Sequence, residues 1–283
     1  MRLFSNLFLA IFVFPISVIA QQDFNVMTFN IRLNTNADSS NAWRYRKDEV
    51  VSQIKFYDVD ILGIQEGLID QVNDLKSAIS SHQFVGVARD DGKERGEFSG
   101  LFINTEKLKI LNSGTFWLSL TPDIPGSKSW DAAITRICTW AFLKDKNGKH
   151  KFYIFNTHLD HMGKISRVES VKLILSKMDE LAAGYPVILT GDMNSSDEDD
   201  PVKTINARQN KIHLFNSAEV SAEGHYGPSG TFNNFESHEV NQQPIDFIFV
   251  TESFNVLKQA TISESWNGHF SSDHFPVLAK IRF

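Results

Sequence analysis

The chain has 283 residues, 42% apolar, 22% charged and 12% aromatic, with 28 Lys+Arg against 34 Asp+Glu for a net charge of −6. That balance excludes a collagen, a coiled coil or a disordered polyelectrolyte, and no global basic field marks a nucleic-acid coat protein. The single cysteine, Cys138, excludes an intramolecular disulfide and a cysteine-based zinc site.

Taken in chain order, Arg2 precedes an apolar run from Leu7 to Ala20, and Val18-Ile19-Ala20 places small or branched residues before Gln21. This layout predicts a cleavable signal peptide over residues 1–20, followed by one domain over 21–283. The apolar run is shorter than the roughly 20 residues of a membrane span, so no stable span is expected after cleavage. A secreted or periplasmic location follows. The one N-x-[ST] acceptor, Asn194-Ser195-Ser196, sits in a candidate active-site motif that glycosylation would block, which favours a bacterial exported protein.

Phe24 to Leu33 reads as extended. Tyr45 to Tyr57 carries Val50, Val51 and Ile54 on one helical face, Asp60 to Gln65 is a short buried strand, and Leu68, Val72, Leu75 and Ile79 mark a second helix. Phe84 to Ala88, Gly100 to Asn104 and Ile110 to Leu118 read as strands. Ile134 to Leu143 and Phe152 to Phe155 form a hairpin about the turn Lys144 to Gly148, with its Asn-Gly signal. Arg167 to Leu181 is a helix striped by Val168, Val171, Ile174, Leu175 and Met178, stopped near Gly184. Val187 to Leu189, Phe247 to Val250, Asn255 to Ile262 and Val277 to Ile281 complete the strands. The acidic stretch Asp197 to Pro201 reads as a solvated loop entering a helix, and the long connection Gly224 to Gln243 as a border of a binding site. Strands outnumber helices, yet helices recur between them, which fits an α/β fold of two stacked sheets with helices outside.

Polar residues interrupt or end these strands: Asn30, Glu66, His158, Asp192 with Asn194, Asp246, and Asp273-His274. Each alone has a structural explanation as a cap, a turn or a core histidine. Six strand ends carrying acids, amides and two histidines strain that explanation, because a buried acid without a partner costs several kcal/mol. Ligands in layered α/β proteins collect beyond strand ends.

The segments Thr28-Phe29-Asn30-Ile31-Arg32, Ile64-Gln65-Glu66, Asn156-Thr157-His158-Leu159, Gly191-Asp192-Met193-Asn194, Ile245-Asp246-Phe247-Ile248 and Ser272-Asp273-His274-Phe275-Pro276 resemble, in order, the motifs of the endonuclease/exonuclease/phosphatase superfamily. The resemblance covers nearly all of the chain after residue 20. It implies a four-layered α/β sandwich of two stacked mixed β-sheets flanked by helices, and a phosphate-ester substrate, more readily a diester. It also implies Glu66 as principal metal ligand with Asn30 beside it and Asp273 as a further metal-site carboxylate. Asp192 and Asn194 are implied to hold the attacking water, His274 oriented by Asp246 to contact phosphate or handle a proton, and His158 to be a second catalytic histidine. Arg136 and Asn156 are the implied substrate contacts.

Oxygen donors such as Glu66, Asp273 and the Asn30 amide suit Mg²⁺ or Mn²⁺. Either Asp192 or the Asp246–His274 pair can serve as general base. A nucleic-acid substrate stays open, although charge does not indicate one; the cluster Lys144, Lys146, Lys149, His150 and Lys151 reads as a hairpin tip. Nucleotides, lipid headgroups, sugar phosphates and inositol phosphates stay open too. Two other classes compete. A retired scaffold of this fold would have lost one of Glu66, Asp192 or His274, and a metal-independent glycan hydrolase would show a carboxylate pair without the metal-type set.

Overall fold

Period-two alternation along the strands decides the architecture of this computed structural model, which describes residues 22–148, 150–236 and 243–283. The expected signal peptide, Lys149 and residues 237–242 of the connection Gly224 to Gln243 lie outside the described residues. One sheet has seven strands in the order β10 (His225–Tyr226), β12 (Asn255–Thr261), β15 (Val277–Arg282), β1 (Asp23–Asn30), β2 (Ile61–Gln65), β4 (Leu101–Asn104), β3 (His82–Val85). The other has six, in the order β5 (Leu108–Trp117), β6 (Ile137–Asp145), β7 (Lys151–His158), β8 (Val187–Asp192), β11 (Asp246–Val250), β9 (Phe215–Asn216). Both sheets are mixed: β1 and β2 pair in parallel, as do β7 and β8, among antiparallel neighbours.

Phe24, Val26, Ile61, Ile154, Ile188, Ile248, Val277 and Ala279 fill the space between the sheets. The alternate residues Met27, Phe29, Leu62 and Ile64 face α1 (Trp43–Phe56) and α2 (Ile69–Ala78) through Val50, Ile54, Val72 and Leu75. On the other side Phe155, Leu189, Phe247 and Phe249 meet α3 (Lys164–Leu181) and α4 (Asp200–Ile205) through Val171, Ile174, Met178 and Val202. The layers are therefore helices, sheet, sheet, helices, the four-layered sandwich expected from the sequence. Each large apolar side chain removed from water contributes roughly 1.5–3 kcal/mol, so stability rests on these three clusters. Among the described residues no helix is long and apolar enough to cross a membrane.

Two strands run further than their apolar sequence suggests. β7 continues to His158 and β8 to Asp192, and the two residues face each other in the parallel register. The apolar run ends earlier because the inward positions turn polar while backbone pairing continues. Gly191 permits this approach: a Cβ there would lie 2.2 Å from the Thr157 carbonyl oxygen. The turn between β6 and β7, with Lys144, Lys146 and His150, lies at the start of β7, the opposite end from His158.

Candidate active site

The inward positions of the central strands grade from apolar to polar in one direction. On β1 they read Phe24, Val26, Thr28, Asn30; on β7 Phe152, Ile154, Asn156, His158; on β8 Ile188, Thr190, Asp192; on β11, which runs the other way, Val250, Ile248, Asp246. Strand pairing sets His158 opposite Asp192 and Asp192 opposite Asp246. The ionisable ends thus meet in one row, and His158 and Asp192 of that row line a cleft of about 580 Å³.

Below that row lies a belt of neutral polar groups. Asn156 is fully buried, accepts hydrogen bonds from Gln65 Nε2 (2.8 Å) and Thr190 Oγ1 (3.0 Å), and donates to the carbonyls of Ile64 (2.9 Å) and Gly100 (3.0 Å). Gly63 leaves room for it, since a Cβ there would come within 2.5 Å of Asn156 Oδ1. With its amide saturated inside the sandwich, Asn156 ties the two sheets together and does not reach the cleft. The expected substrate contact at Asn156 is corrected accordingly.

The other expected residues converge. Asn30 Nδ2 donates to Glu66 Oε1 (3.1 Å) and Asp192 Oδ2 (3.0 Å), while Asn30 Oδ1 accepts from the Arg32 backbone N–H (3.0 Å). The amide oxygen offered to a metal on sequence grounds takes one hydrogen bond and keeps a second lone pair, while the amide nitrogen bridges two acids. Glu66 follows Gln65, an inward residue, so simple alternation would send it towards the helices. Its left-handed backbone, φ 62°, brings it to the cleft, a strain of about 1–2 kcal/mol for a non-glycine residue. Asn194 is left-handed as well, φ 45°; its backbone N–H donates to Asp192 Oδ1 (2.9 Å) and its amide lies 2.9 Å from His158 Nε2.

Asp192 sits between the histidines, its Oδ2 3.3 Å from His158 Nε2 and 3.8 Å from His274 Nε2. Burial pushes its pKa up to about 7, reinforced by Asp246 and opposed by His274. Burial, with Arg136 nearby, drives His158 well below the ordinary histidine range, so it is neutral. His274 is equally buried, but the Asp246 carboxylate at 2.8 Å from Nδ1, with Asp192 and Asp273, outweighs that burial and raises its pKa well above the ordinary value. Two histidines shifted in opposite directions therefore flank one buried carboxylate.

Arg32 was unassigned from sequence. It forms a two-pronged ion pair with Asp38 (3.0 and 2.9 Å), and its Nη1 lies 4.0 Å from Glu66 and 3.7 Å from Asp273. A guanidinium drawn between these two carboxylates marks a place that favours a cation. Asp246 Oδ1 is buried without a hydrogen-bond partner among the described residues, and one donor atom each from Asp192, Asp246 and His274 lie within 4.8 Å of one another. The cleft thus offers a possible metal site, and its hard oxygen donors fit a divalent cation. Arg136 lines the wall, only 6% exposed; its Nε has no hydrogen-bond partner among the described residues, and its Nη1 faces Glu97 at 3.9 Å. A buried guanidinium with unused donors beside a cleft is suited to an anion. Glu97, Phe232 and Phe235 also line the cleft. They lie in connections without motif or periodicity, so no sequence signal singles them out, although the long connection after Gly224 was expected to border a site.

A layered α/β protein with an acid–histidine row at one end of its paired sheets has the form of an enzyme that binds its ligand beyond the strand ends. The model of the Endonuclease/Exonuclease/phosphatase family matches residues 27–274, and the chain belongs to that family, whose members are hydrolases acting on phosphate esters. An endonuclease/exonuclease/phosphatase from Bacteroides vulgatus is 38% identical with a TM-score of 0.87, covering 92% of this chain and 99% of its own. A mannosyl-6-phosphatase from Bacteroides thetaiotaomicron is 38% identical with a TM-score of 0.86, covering 92% of this chain and 100% of its own. An uncharacterised protein of Acanthamoeba polyphaga mimivirus is 27% identical over 177 residues, 58% of this chain and 64% of that protein. The chain therefore spans less than two thirds of the length of this curated relative.

Proposed function

We propose that this chain is an exported, divalent-metal-dependent phosphatase that releases phosphate from a phosphorylated sugar. The observation that carries the catalytic reading is Asp192, a buried carboxylate between a neutral and a cationic histidine at the floor of the cleft. The sugar monoester, in place of the diester favoured on sequence grounds, is supported by the 38% identity to a mannosyl-6-phosphatase whose whole length is matched. Export rests on the apolar run before Gln21.

Glu66 and Asp273 would hold Mg²⁺ or Mn²⁺, because Arg32 already marks their common space as one for positive charge. When bound, the cation supplies charge that offsets the phosphoryl oxygens and the leaving alkoxide. The competing set, Asp192 with Asp246 and His274, leaves Asp246 Oδ1 free, but it includes His274, whose raised pKa favours a positive charge that would oppose a cation there. Arg136 receives the phosphate with its unused donors. Asp192, oriented by the Asn194 and Asn30 donors, takes the proton of the attacking water, and cationic His274 donates to the oxygen on which charge develops. With its proton favoured by Asp246, His274 is better suited to donate than to accept, and the role of base goes to Asp192.

The test is phosphate release from mannose 6-phosphate and turnover of bis-p-nitrophenyl phosphate by the protein lacking residues 1–20, with Mg²⁺, Mn²⁺ or EDTA. The reading expects the sugar ester to be hydrolysed faster, EDTA to stop both reactions, and Glu66→Gln to weaken Mn²⁺ binding more than Asp246→Asn does. Faster diester turnover overturns the substrate assignment; activity unaffected by EDTA overturns the metal.

A further inference from the structure

A second concave surface lies beside the cleft on the same end of the sandwich. It is a groove of about 700 Å³ walled by Asn36, Asn41, Tyr45, Glu49, Trp266 and His269. One wall is the connection from β1 into α1; the other is a hairpin of β13 (Ser265–Trp266) and β14 (His269–Phe270). Asn267 and Gly268 are both left-handed, φ 52° and 84°, which makes a tight two-residue turn and fixes Trp266 opposite His269. Phe270 packs edge-on against Phe275 at 5.0 Å, anchoring the hairpin next to His274.

The first of these connections also walls the catalytic cleft, and the hairpin leads directly into cleft residues Asp273 and His274. Asp38 lines the cleft and its neighbour Ser39 lines the groove. Arg46 forms the partition: it lines the groove, lies 5.6 Å from the ring of cleft residue Phe235, and is buried. Its guanidinium donates to the carbonyls of Asn41 (2.8 Å), Ile31 (2.5 Å), Arg32 (2.7 Å) and Ser271 (3.0 Å), so the partition is stiff and both walls are fastened to it.

The lining has the chemistry of a sugar site. Tyr45 is 60% exposed, and neither its hydroxyl nor the Trp266 indole N–H has a hydrogen-bond partner among the described residues. Arg44 is held over the Tyr45 ring at 4.6 Å by a bond to Asn36 Oδ1 (3.1 Å), so this side of the groove is ordered before any ligand arrives. A pyranose presents an apolar C–H face to an aromatic ring and a rim of hydroxyls to amides, carboxylates and histidines. The groove offers both, and its volume falls within the roughly 300–1,000 Å³ of small-ligand sites. An acyl chain would instead strand the Asn36, Asn41 and Glu49 polar groups.

We infer that this groove is a subsite for the sugar units that continue beyond the phosphorylated one, so that the preferred substrate is a phosphorylated oligosaccharide. The inference rests on the sugar-phosphate reading above for its link to turnover, but sugar binding in the groove can be measured without catalysis. The experiment uses the metal-loaded protein lacking residues 1–20, with mannose 6-phosphate and 6-phosphomannobiose as substrates. KM is expected to be about tenfold lower for the disaccharide. Trp266→Ala and Tyr45→Ala should remove that advantage while leaving kcat and KM for the monosaccharide unchanged, and Trp266→Phe should retain most of it. Equal KM for the two substrates in the wild type, or equal losses on both in Trp266→Ala, overturns the subsite. Calorimetry with unphosphorylated mannotriose in EDTA separates the two readings: if neither phosphate is hydrolysed, the phosphatase reading fails, and binding lost in Trp266→Ala still supports the groove. Absence of mannotriose binding to the wild type overturns it.

Discussion

The space between the sheets has two ends of opposite character, built from the same strands. At one end Val26, Ile61, Ile154, Ile188 and Ile248 pack against one another without a polar atom among their side chains. Four residues along β8, about 13 Å at strand rise, the same face carries Asp192. Between them Thr28, Gln65, Asn156 and Thr190 bond to each other as a neutral belt. Such a grading lets an α/β sandwich keep a dry core and still place carboxylates at its mouth. The belt satisfies polar groups that neither end could accommodate, and the ionisable row is left with strained chemistry that can be used on a substrate.

The largest contrast between the ends should come from Asp192→Asn. Loss of the general base is expected to lower kcat by about 10²–10⁴-fold. Its effect on stability should be opposite. The folded pKa of Asp192 is raised to about 7 from 3.8, so its stabilising contribution is complete below pH 3.8 and lost as pH rises through 7. Thermal denaturation of metal-free protein should therefore show Asp192→Asn melting several degrees above wild type at pH 8, a gap that closes towards pH 4. A variant less stable than wild type at pH 8 would contradict the buried-charge account.

At the apolar end the pattern should invert. Ile188→Ala is expected to cost about 2–5 kcal/mol in urea unfolding, while kcat per folded molecule stays near that of wild type. A large loss of kcat at full folding would mean the two ends are not separable.

The belt should be intermediate. Asn156→Leu keeps the number of side-chain heavy atoms but removes four hydrogen bonds, including those to Gln65 and to the Ile64 carbonyl, for about 1–3 kcal/mol of stability per group left unsatisfied and a modest effect on kcat. A direct substrate role would instead appear as a selective rise in KM.

The smallest effect is on the pH profile. If ionised Asp192 is the base, kcat/KM rises about tenfold per pH unit below its pKa, and bound cation moves that limb lower. His274 must stay protonated, so activity falls as pH rises through its raised pKa. Asp246→Asn removes the principal charge that raises it and should bring the alkaline limb to lower pH. An unmoved limb assigns that proton to another group.

Much of the site was legible because its chemistry is local. Asn30, Glu66, Asp192, Asp246 and His274 stand at the ends of apolar runs in short ordered motifs, and a polar residue closing a buried strand is visible in one dimension. Asn156 misled because it sits in such a motif too; only the register that puts it between Gln65 and Thr190 shows that its amide is consumed within the sandwich. Asn30 stands beside Glu66, but which of its amide atoms faces that carboxylate depends on the Arg32 backbone across a turn.

Alternation and helical stripes by themselves determined the elements, the two-sheet layering and the acids and histidines available to the site, because burial of a strand or helix face follows from residue periodicity. Strand order, and with it the meeting of His158, Asp192 and Asp246 in one row, came only from tertiary pairing. So did the Arg32–Asp38 clamp, the unused donors of Arg136 and the groove beside Trp266, all set by loops whose ends are positioned by packing. Charge state belongs to the same category: nothing in the letters distinguishes His158 from His274, yet burial and Arg136 lower the pKa of the first while the Asp246 carboxylate at 2.8 Å raises that of the second.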